Sequence, residues 1–368
     1  MRNEKGVLKK LIQFAIISVI LLQTGCGLLY PTRSSDDSFG FPATDSSAGD
    51  IIDSYVELDK IIAFMSDNFI MSQNTRISSM EIWKNLDEYY DKNPGILALR
   101  GIRGVEISYR NSGGVLDANI LPDYEMFMKV IIAHETNDTT ELTSEEMQVY
   151  NKAKQIIQSV SGTVFDKVYS IHTYLADNIV YDHNHEYNKN AFNVYGALID
   201  GVTVCQGYAH AFQMLAHMAG VESLIVTGVA DGDNHAWNLV NYGKSKRTPE
   251  WYHIDVTWND QDEVSSRRYF NISDSILSVS HAWNPEFYPN ADGVKYNYFR
   301  YKGIIAASPA NLESIFASLY QTGENYYEVL CAFSPTADDL AFLDRYVAGS
   351  FMYSIEDYDG DLLLTIML

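Results

Sequence analysis

Cysteines, basic residues and long apolar runs are all scarce in this sequence, and each shortage closes off a class of function. Only three cysteines occur in 368 residues, Cys26, Cys205 and Cys331, and no two form a CxxC pair. Neither a thiolate-rich zinc site nor a disulfide framework is signalled, so each cysteine needs its own explanation. Lys and Arg number 26 against 48 Asp and Glu, a net charge of −22. Binding nucleic acid through phosphates needs clustered cations, so nucleic acid is excluded as a partner. The N-terminal apolar run, Leu11–Leu22, is LIQFAIISVILL; it falls short of the roughly twenty residues that span a bilayer.

That short run follows Arg2, Lys5, Lys9 and Lys10, the order of basic and apolar regions in a secretory signal. Gln23-Thr24-Gly25-Cys26 comes next and resembles the lipobox of a bacterial lipoprotein, although Gln23 stands where that pattern prefers Leu. The resemblance implies cleavage before Cys26, diacylation of its sulfur, and anchoring at the extracytoplasmic face of the cell membrane. Losing residues 1–25 removes four basic residues and Glu4, which takes the charge from −22 to −25. Residues 26–50, rich in Ser, Asp, Gly and Pro, read as a flexible tether.

Beyond the tether, residues 51–140 read as a small α+β unit. Apolar residues recur at helical spacing over Ile51–Met71 and Ser78–Tyr90. GVEISYRN and VLDANILPDY flank Gly113-Gly114 as a hairpin. Thr143 or Ser144 can cap a further helix, with acids in its first turn. Another helix carries Val164, Val168, Ile171, Leu175 and Ile179 on one stripe. His183-x-His185 has no third ligand beside it and reads as a loop. The 26 tyrosines are best placed at half-buried strand positions.

The chemistry concentrates between Gly201 and Asp260. Ala191–Gly201 reads as a helix ending in a glycine turn, and Cys205 then opens a second helix bearing Ala209, Phe212, Leu215, Ala216 and Ala219. Unpaired N–H groups and the positive end of the dipole favour a thiolate at that place. They can also receive an oxyanion. ESLIVTGVA, HAWNLVNYG and WYHIDVTW read as three strands. If Tyr242–Pro249 is the hairpin loop, pairing Val240 with Glu250 sets His235 opposite Asp255. Asp255 would orient the imidazole and His235 would take the thiol proton. His210 and His217 share the helix with Cys205, but the offset from Cys205 to His210 is poor for a zinc site. Asp231-Gly232-Asp233 and Asp357–Asp361 do not complete a calcium loop and read as turns. No cofactor or metal is expected.

VCQGYAHAFQML, HAWNLV and WYHIDVTWND, in that order, resemble the transglutaminase-like superfamily in its bacterial extracytoplasmic branch. The resemblance implies an α+β fold with a papain-like core, in which the nucleophile's helix packs on an antiparallel sheet. It implies a triad of Cys205, His235 and Asp255 and places the catalytic domain at 141–300. RRYFNISDSILSVSHAWNPEFYP resembles the segment after the triad, with His281 and Trp283 near the rim of the site and His253 in a supporting role. Residues 301–368 read as a C-terminal α+β appendage, with Cys331 packed in its core. The expected activity is attack on a polypeptide or cell-wall amide through an acyl-thioester, ending in acyl transfer or hydrolysis. The alternative is a non-catalytic surface protein that keeps the fold as a binding platform. The anchor is tested directly: Cys26→Ala is expected to abolish labelling by a metabolically supplied fatty acid and to release the protein from membranes. Undiminished labelling would remove the lipid from the picture.

Overall fold

The computed structural model describes residues 51–68, 70–92, 100–112, 114–244, 248–261, 264–347 and 350–368; the expected signal peptide, Cys26 and the tether lie outside the described residues. Helix α1 (Tyr55–Asp67) starts where the Ser54 hydroxyl accepts from the Glu57 N–H, and it turns Leu58, Ile62 and Met65 inward. Strand β1 (Gln73–Ile77), helix α2 (Met80–Lys92) and the hairpin of β2 (Ile102–Ser112) and β3 (Val115–Tyr124) follow. β3 lies between β1 and β2, antiparallel to both. It buries Leu116, Ala118, Ile120 and Tyr124 in strict alternation. Arg100 grips Asp59 with two hydrogen bonds, 2.7 and 3.1 Å, and the Tyr90 hydroxyl donates to the same carboxylate at 2.8 Å.

β3 leads into α3 (Met126–Thr136), which buries Phe127, Met128 and Val130 through Ala133. One apolar core therefore continues from Ile52 through α3 to Phe270. Helices α4 (Ser144–Ile157) and α5 (Val164–Asn178) each open on a capping box, Thr143 with Glu146 and Thr163 with Asp166. α5 turns Phe165, Val168, Ile171 and Leu175 inward, while Val164 at its first position stays exposed. The helix expected over Ala191–Gly201 forms over residues 194–200, after turns at 191–193, and its second part, Gly196–Asp200, is π-helical and ends at Gly201. Asn193 caps its start, because its side-chain oxygen accepts from the N–H groups of Tyr195 and Gly196.

Strand β4 (Val180–Tyr181) pairs in parallel with β5 (Val202–Thr203), just before α6 (Cys205–Met218). Ten of the fourteen residues of α6 are buried, so this helix is interior on most sides. The antiparallel sheet beside it has the order β9 (Phe270–Ile272), β8 (Trp251–Ile254), β7 (Asp233–Asn241), β6 (Ser223–Ala230), β10 (His281–Ala282). β7 is buried on both faces. Ala236 and Val240 join the core around α6, while Trp237 and Leu239 join a second core with Trp251, Phe299 and Tyr358. Asn238 fixes helix to sheet by donating to the Ala209 carbonyl at 3.1 Å.

The β7–β8 register differs from the expected one by two residues. Val240 pairs with Tyr252 rather than Glu250, and the strand ends at Ile254 instead of running on through Asp255. The loop sets this register. The Tyr242 N–H reaches the Glu250 carbonyl at 2.8 Å, and the Asn241 side chain accepts from Gly243 N–H at 2.8 Å and Glu250 N–H at 3.0 Å.

The C-terminal sheet has the order β11 (Ile305–Ala306), β12 (Tyr326–Cys331), β14 (Asp361–Met367), β13 (Met352–Tyr358). Helix α7 (Pro309–Tyr320), capped by Ser308 with Pro309 at its first turn, packs on it, and Cys331 lies buried in that core. ADDLAFLDRYV, expected as a helix, forms 3-10 turns over Asp338–Arg345. Glu328 ties the sheet to the central unit by accepting from Ser266 Oγ at 2.6 Å and Arg267 N–H at 2.7 Å. The Tyr358 hydroxyl donates to the Arg268 carbonyl at 2.7 Å. Among the described residues no helix is long and apolar enough to cross a membrane.

His210, on α6, is buried with its ring 4.5 Å from that of Phe127, and burial pushes its pKa down to about 3. The unfolded chain binds this proton first. Stability is therefore lost as pH falls below the ordinary histidine value, by about 1.4 kcal/mol per pH unit, until pH nears 3. His210→Phe is expected to flatten that slope by one proton in urea unfolding at pH 4 to 7. Identical slopes would show that His210 does not set the acid sensitivity.

Candidate active site

Cys205 occupies the first position of α6, where no helical carbonyl can reach its N–H or that of Gln206. The chain can enter the helix so abruptly because residue 207 is glycine. A Cβ there would lie 1.8 Å from Thr203 Oγ1, which itself donates to the Ala191 carbonyl at 2.6 Å. Cys205 is half-exposed, whereas Cys331 is buried and its thiol pushed up to about 12 by burial. Of these two, only the thiol of Cys205 is open to a substrate.

The imidazole of His235 and the carboxylate of Asp255 meet inside the protein, Nε2 to Oδ2, at 2.6 Å. Their ends of β7 and β8 are not paired opposite each other. Asp255 instead caps a helical turn, Val256–Asn259, and Trp258 N–H donates to its Oδ1 at 3.1 Å. The capping turn bends the carboxylate to His235 in place of the expected strand register. Burial by itself would lower the His235 pKa. The adjacent Asp255 carboxylate outweighs this, with the Cys205 sulfur adding to it as a charge and hydrogen-bonding neighbour, and raises it to about 10. Burial opposes ionisation of Asp255, yet contacts from His235 and His281 hold it well below the usual carboxylate range. Sulfur, imidazole and carboxylate thus form one electrostatic unit.

His281 is not at the rim. It is 3% exposed and its Nε2 lies 3.0 Å from Asp255 Oδ2. Trp283 is half-buried and packs edge-on against Trp237 and His253. His253 has the expected supporting role. It accepts from the Trp237 indole at 3.0 Å through Nδ1 and so donates to Asp274 at 2.7 Å through Nε2. Burial lowers its pKa, which keeps it neutral in that arrangement. Tyr181, on β4, is a further neighbour that sequence reasoning missed. Burial raises the pKa of its hydroxyl, and the charges of Cys205, Asp233 and Asp255 raise it further.

His210 and His217 do not join Cys205 in a metal site: His210 packs against the Phe127 ring and His217 faces Glu135 at 3.0 Å. His183 and His185 contact Tyr181 and Phe192 instead. Asp361, at the start of β14, binds Arg300 at 2.6 Å, and Asp359, in the turn before it, accepts from Ser275 at 3.0 Å. Among the described residues, the one group with ligand atoms close enough for a metal is His235, Asp255 and His281. Those same atoms already hydrogen-bond to each other.

Residues 141–256 match the family model of the transglutaminase-like superfamily. That stretch belongs to the superfamily. The match ends one residue after Asp255 and takes in Cys205 and His235. No curated protein matches the chain. Among solved structures, a TGase crystal structure is similar at 18% identity, TM-score 0.27, over 51% of each chain. A cysteine-protease candidate from Cytophaga hutchinsonii is similar at 15% identity, TM-score 0.25, over 42% of this chain and 62% of its own. A protease candidate from Parabacteroides distasonis is similar at 6% identity, TM-score 0.21, over 80% of this chain and 65% of its own. The likeness thus spans about half to two thirds of those proteins.

The geometry of the transglutaminase-like core makes a pH prediction. With its folded pKa at about 10, above the ordinary histidine value, the charged His235 contributes stability that is full below that ordinary value and is lost progressively as pH rises from there through about 10. Asp255→Asn is expected to bring the His235 titration, followed by imidazole NMR, down by about two pH units or more. A titration unmoved by the substitution would mean that Asp255 does not set the charge of His235.

Proposed function

We propose that this transglutaminase-like protein is an extracytoplasmic, lipid-anchored thiol enzyme acting on amide bonds, with Cys205 as nucleophile, His235 as base and acid, and Asp255 as the group that orients and charges His235. One observation carries the reading: His235 is bound by a buried carboxylate at 2.6 Å on one side and neighbours the half-exposed Cys205 sulfur.

With Nε2 committed to Asp255, Nδ1 is the ring atom left for the thiol. The thiol proton passes to His235, and the sulfur attacks the amide carbonyl carbon as the C=O π pair moves to oxygen. The N–H groups at the opening of α6 face the developing oxyanion. As the oxyanion collapses, the C–N bond breaks, and His235 returns the proton to the departing amine. An acyl-thioester remains on Cys205. A water or an amine then gives its proton to His235 and attacks the thioester. The thiolate leaves and recovers the proton. The raised proton affinity of His235 favours the first transfer, and the Asp255 charge supplies that affinity.

Water as acceptor makes the protein a protease or amidase, and a lysine amine makes it a crosslinker. The resemblance supports thiol chemistry on polypeptide or cell-wall amides in either case. The full chain should be incubated with glutamine-bearing and peptide donors, with and without a labelled primary amine, and the products read by mass spectrometry. Cys205→Ala is expected to lower turnover by about a thousandfold or more while leaving the unfolding midpoint within a few degrees. Chelation is expected to leave the wild-type rate unchanged. Turnover that survives Cys205→Ala and is abolished by chelation would replace the thiol reading with a metal one. A stable chain with no product and a sluggish Cys205 would favour the binding platform.

A further inference from the structure

We infer that His281 is a positioning residue for the triad: it holds the second lone pair of Asp255 Oδ2 and so fixes the carboxylate that orients and charges His235. This rests on the triad reading above and extends it by a fourth member outside the matched stretch, residues 141–256.

Asp255 is 1% exposed and receives three donors. Trp258 N–H reaches Oδ1 at 3.1 Å, and His235 Nε2 at 2.6 Å and His281 Nε2 at 3.0 Å both reach Oδ2. Without His281, Oδ2 would keep one donor, and the carboxylate could rotate about its Cβ–Cγ bond and take the imidazole with it. The other nitrogen of His281 is engaged as well, since Nδ1 lies 2.8 Å from Ser280 Oγ. One direction of donation satisfies both contacts: Ser280 hydroxyl to His281 Nδ1, and His281 Nε2–H to Asp255. This direction assigns the Nε2–H tautomer to His281.

The backbone is shaped to deliver this ring. β10 pairs His281 with Ala230 and Ala282 with Val229 at the edge of the central sheet. Residue 228 is glycine because a Cβ there would lie 2.3 Å from the Ala282 carbonyl and 2.8 Å from the Trp237 ring. Trp258 and Trp237 wall the imidazole at ring distances of 4.6 and 5.1 Å. A ring needed only for packing would not require both nitrogens to be partnered in one consistent direction.

Alkylation of Cys205 by iodoacetamide across pH 5 to 10, read peptide by peptide with Cys331 as internal control, tests the assignment without a substrate. His281→Leu is expected to slow Cys205 alkylation at neutral pH by about tenfold or more, the loss of one charge-assisted hydrogen bond, and to move the step to higher pH. His281→Gln keeps an N–H donor at similar reach and is expected to stay within about threefold of wild type. The NMR resonance of the His235 Nε2 proton should weaken in the leucine variant and persist in the glutamine variant. A leucine profile that overlays wild type, or a glutamine variant as slow as leucine, overturns the assignment. If His281→Leu fails to fold, Ser280→Ala decides: a smaller shift of the same sign supports the assignment, and an unmoved profile refutes it. A wild-type Cys205 with no pH step, or one that His235→Ala leaves intact, would instead bring down the triad itself.

Discussion

A negative charge enclosed in protein is the constraint around which the centre of this molecule is arranged. Asp255 has almost no contact with solvent, so its ionised form must find all its hydrogen bonds within the chain. It finds them in a backbone N–H and two imidazoles. Each donor comes from a different element: the capping turn, β7 and β10. The carboxylate is therefore a structural joint and the source of His235's basicity at once. Removing it would leave two buried histidines without an acceptor, which is why stability and chemistry are hard to separate at this site.

The layers around the joint explain how a helix and a strand hold such a geometry. α6 is interior along most of its length, and β7 is covered on both faces. Neither can shift without opening a core, and Asn238 ties one to the other. The opening of α6 reaches solvent, and there Cys205 is half-exposed. The order is that of a tool with a rigid handle and one working atom at its edge. Tyr181 neighbours that edge, while two tryptophans, Trp237 and Trp283, pack around His253 and the Asp274 contact.

Much of this was legible in the residue pattern, and the exceptions have physical causes. The caps at Thr143 and Ser308, the glycine before α6 and the three ordered motifs all act over a few residues, so the local sequence carries them. The β7–β8 register was not legible, because Asn241 closes the loop through its side chain and moves the ladder by two residues. His235 and Asp255 still meet, through a capping turn that no strand alternation would announce. The interior place of His281 depends on a contact between residues 26 positions apart. A trace of it was present: His-Ala-Trp-Asn occurs at 235–238 and again at 281–284, and both histidines reach one carboxylate oxygen. Asn193 likewise sets where the expected helix begins, by capturing two backbone N–H groups.

The ties from the last sheet give the chain a built-in order of assembly. Glu328 and Tyr358 grip residues 266–268, in the segment between Asp255 and His281. Those grips exist only after β12 and β13 have been synthesised and folded. The three candidate groups Cys205, His235 and Asp255 thus precede in the sequence the strands that fasten the segment between Asp255 and His281.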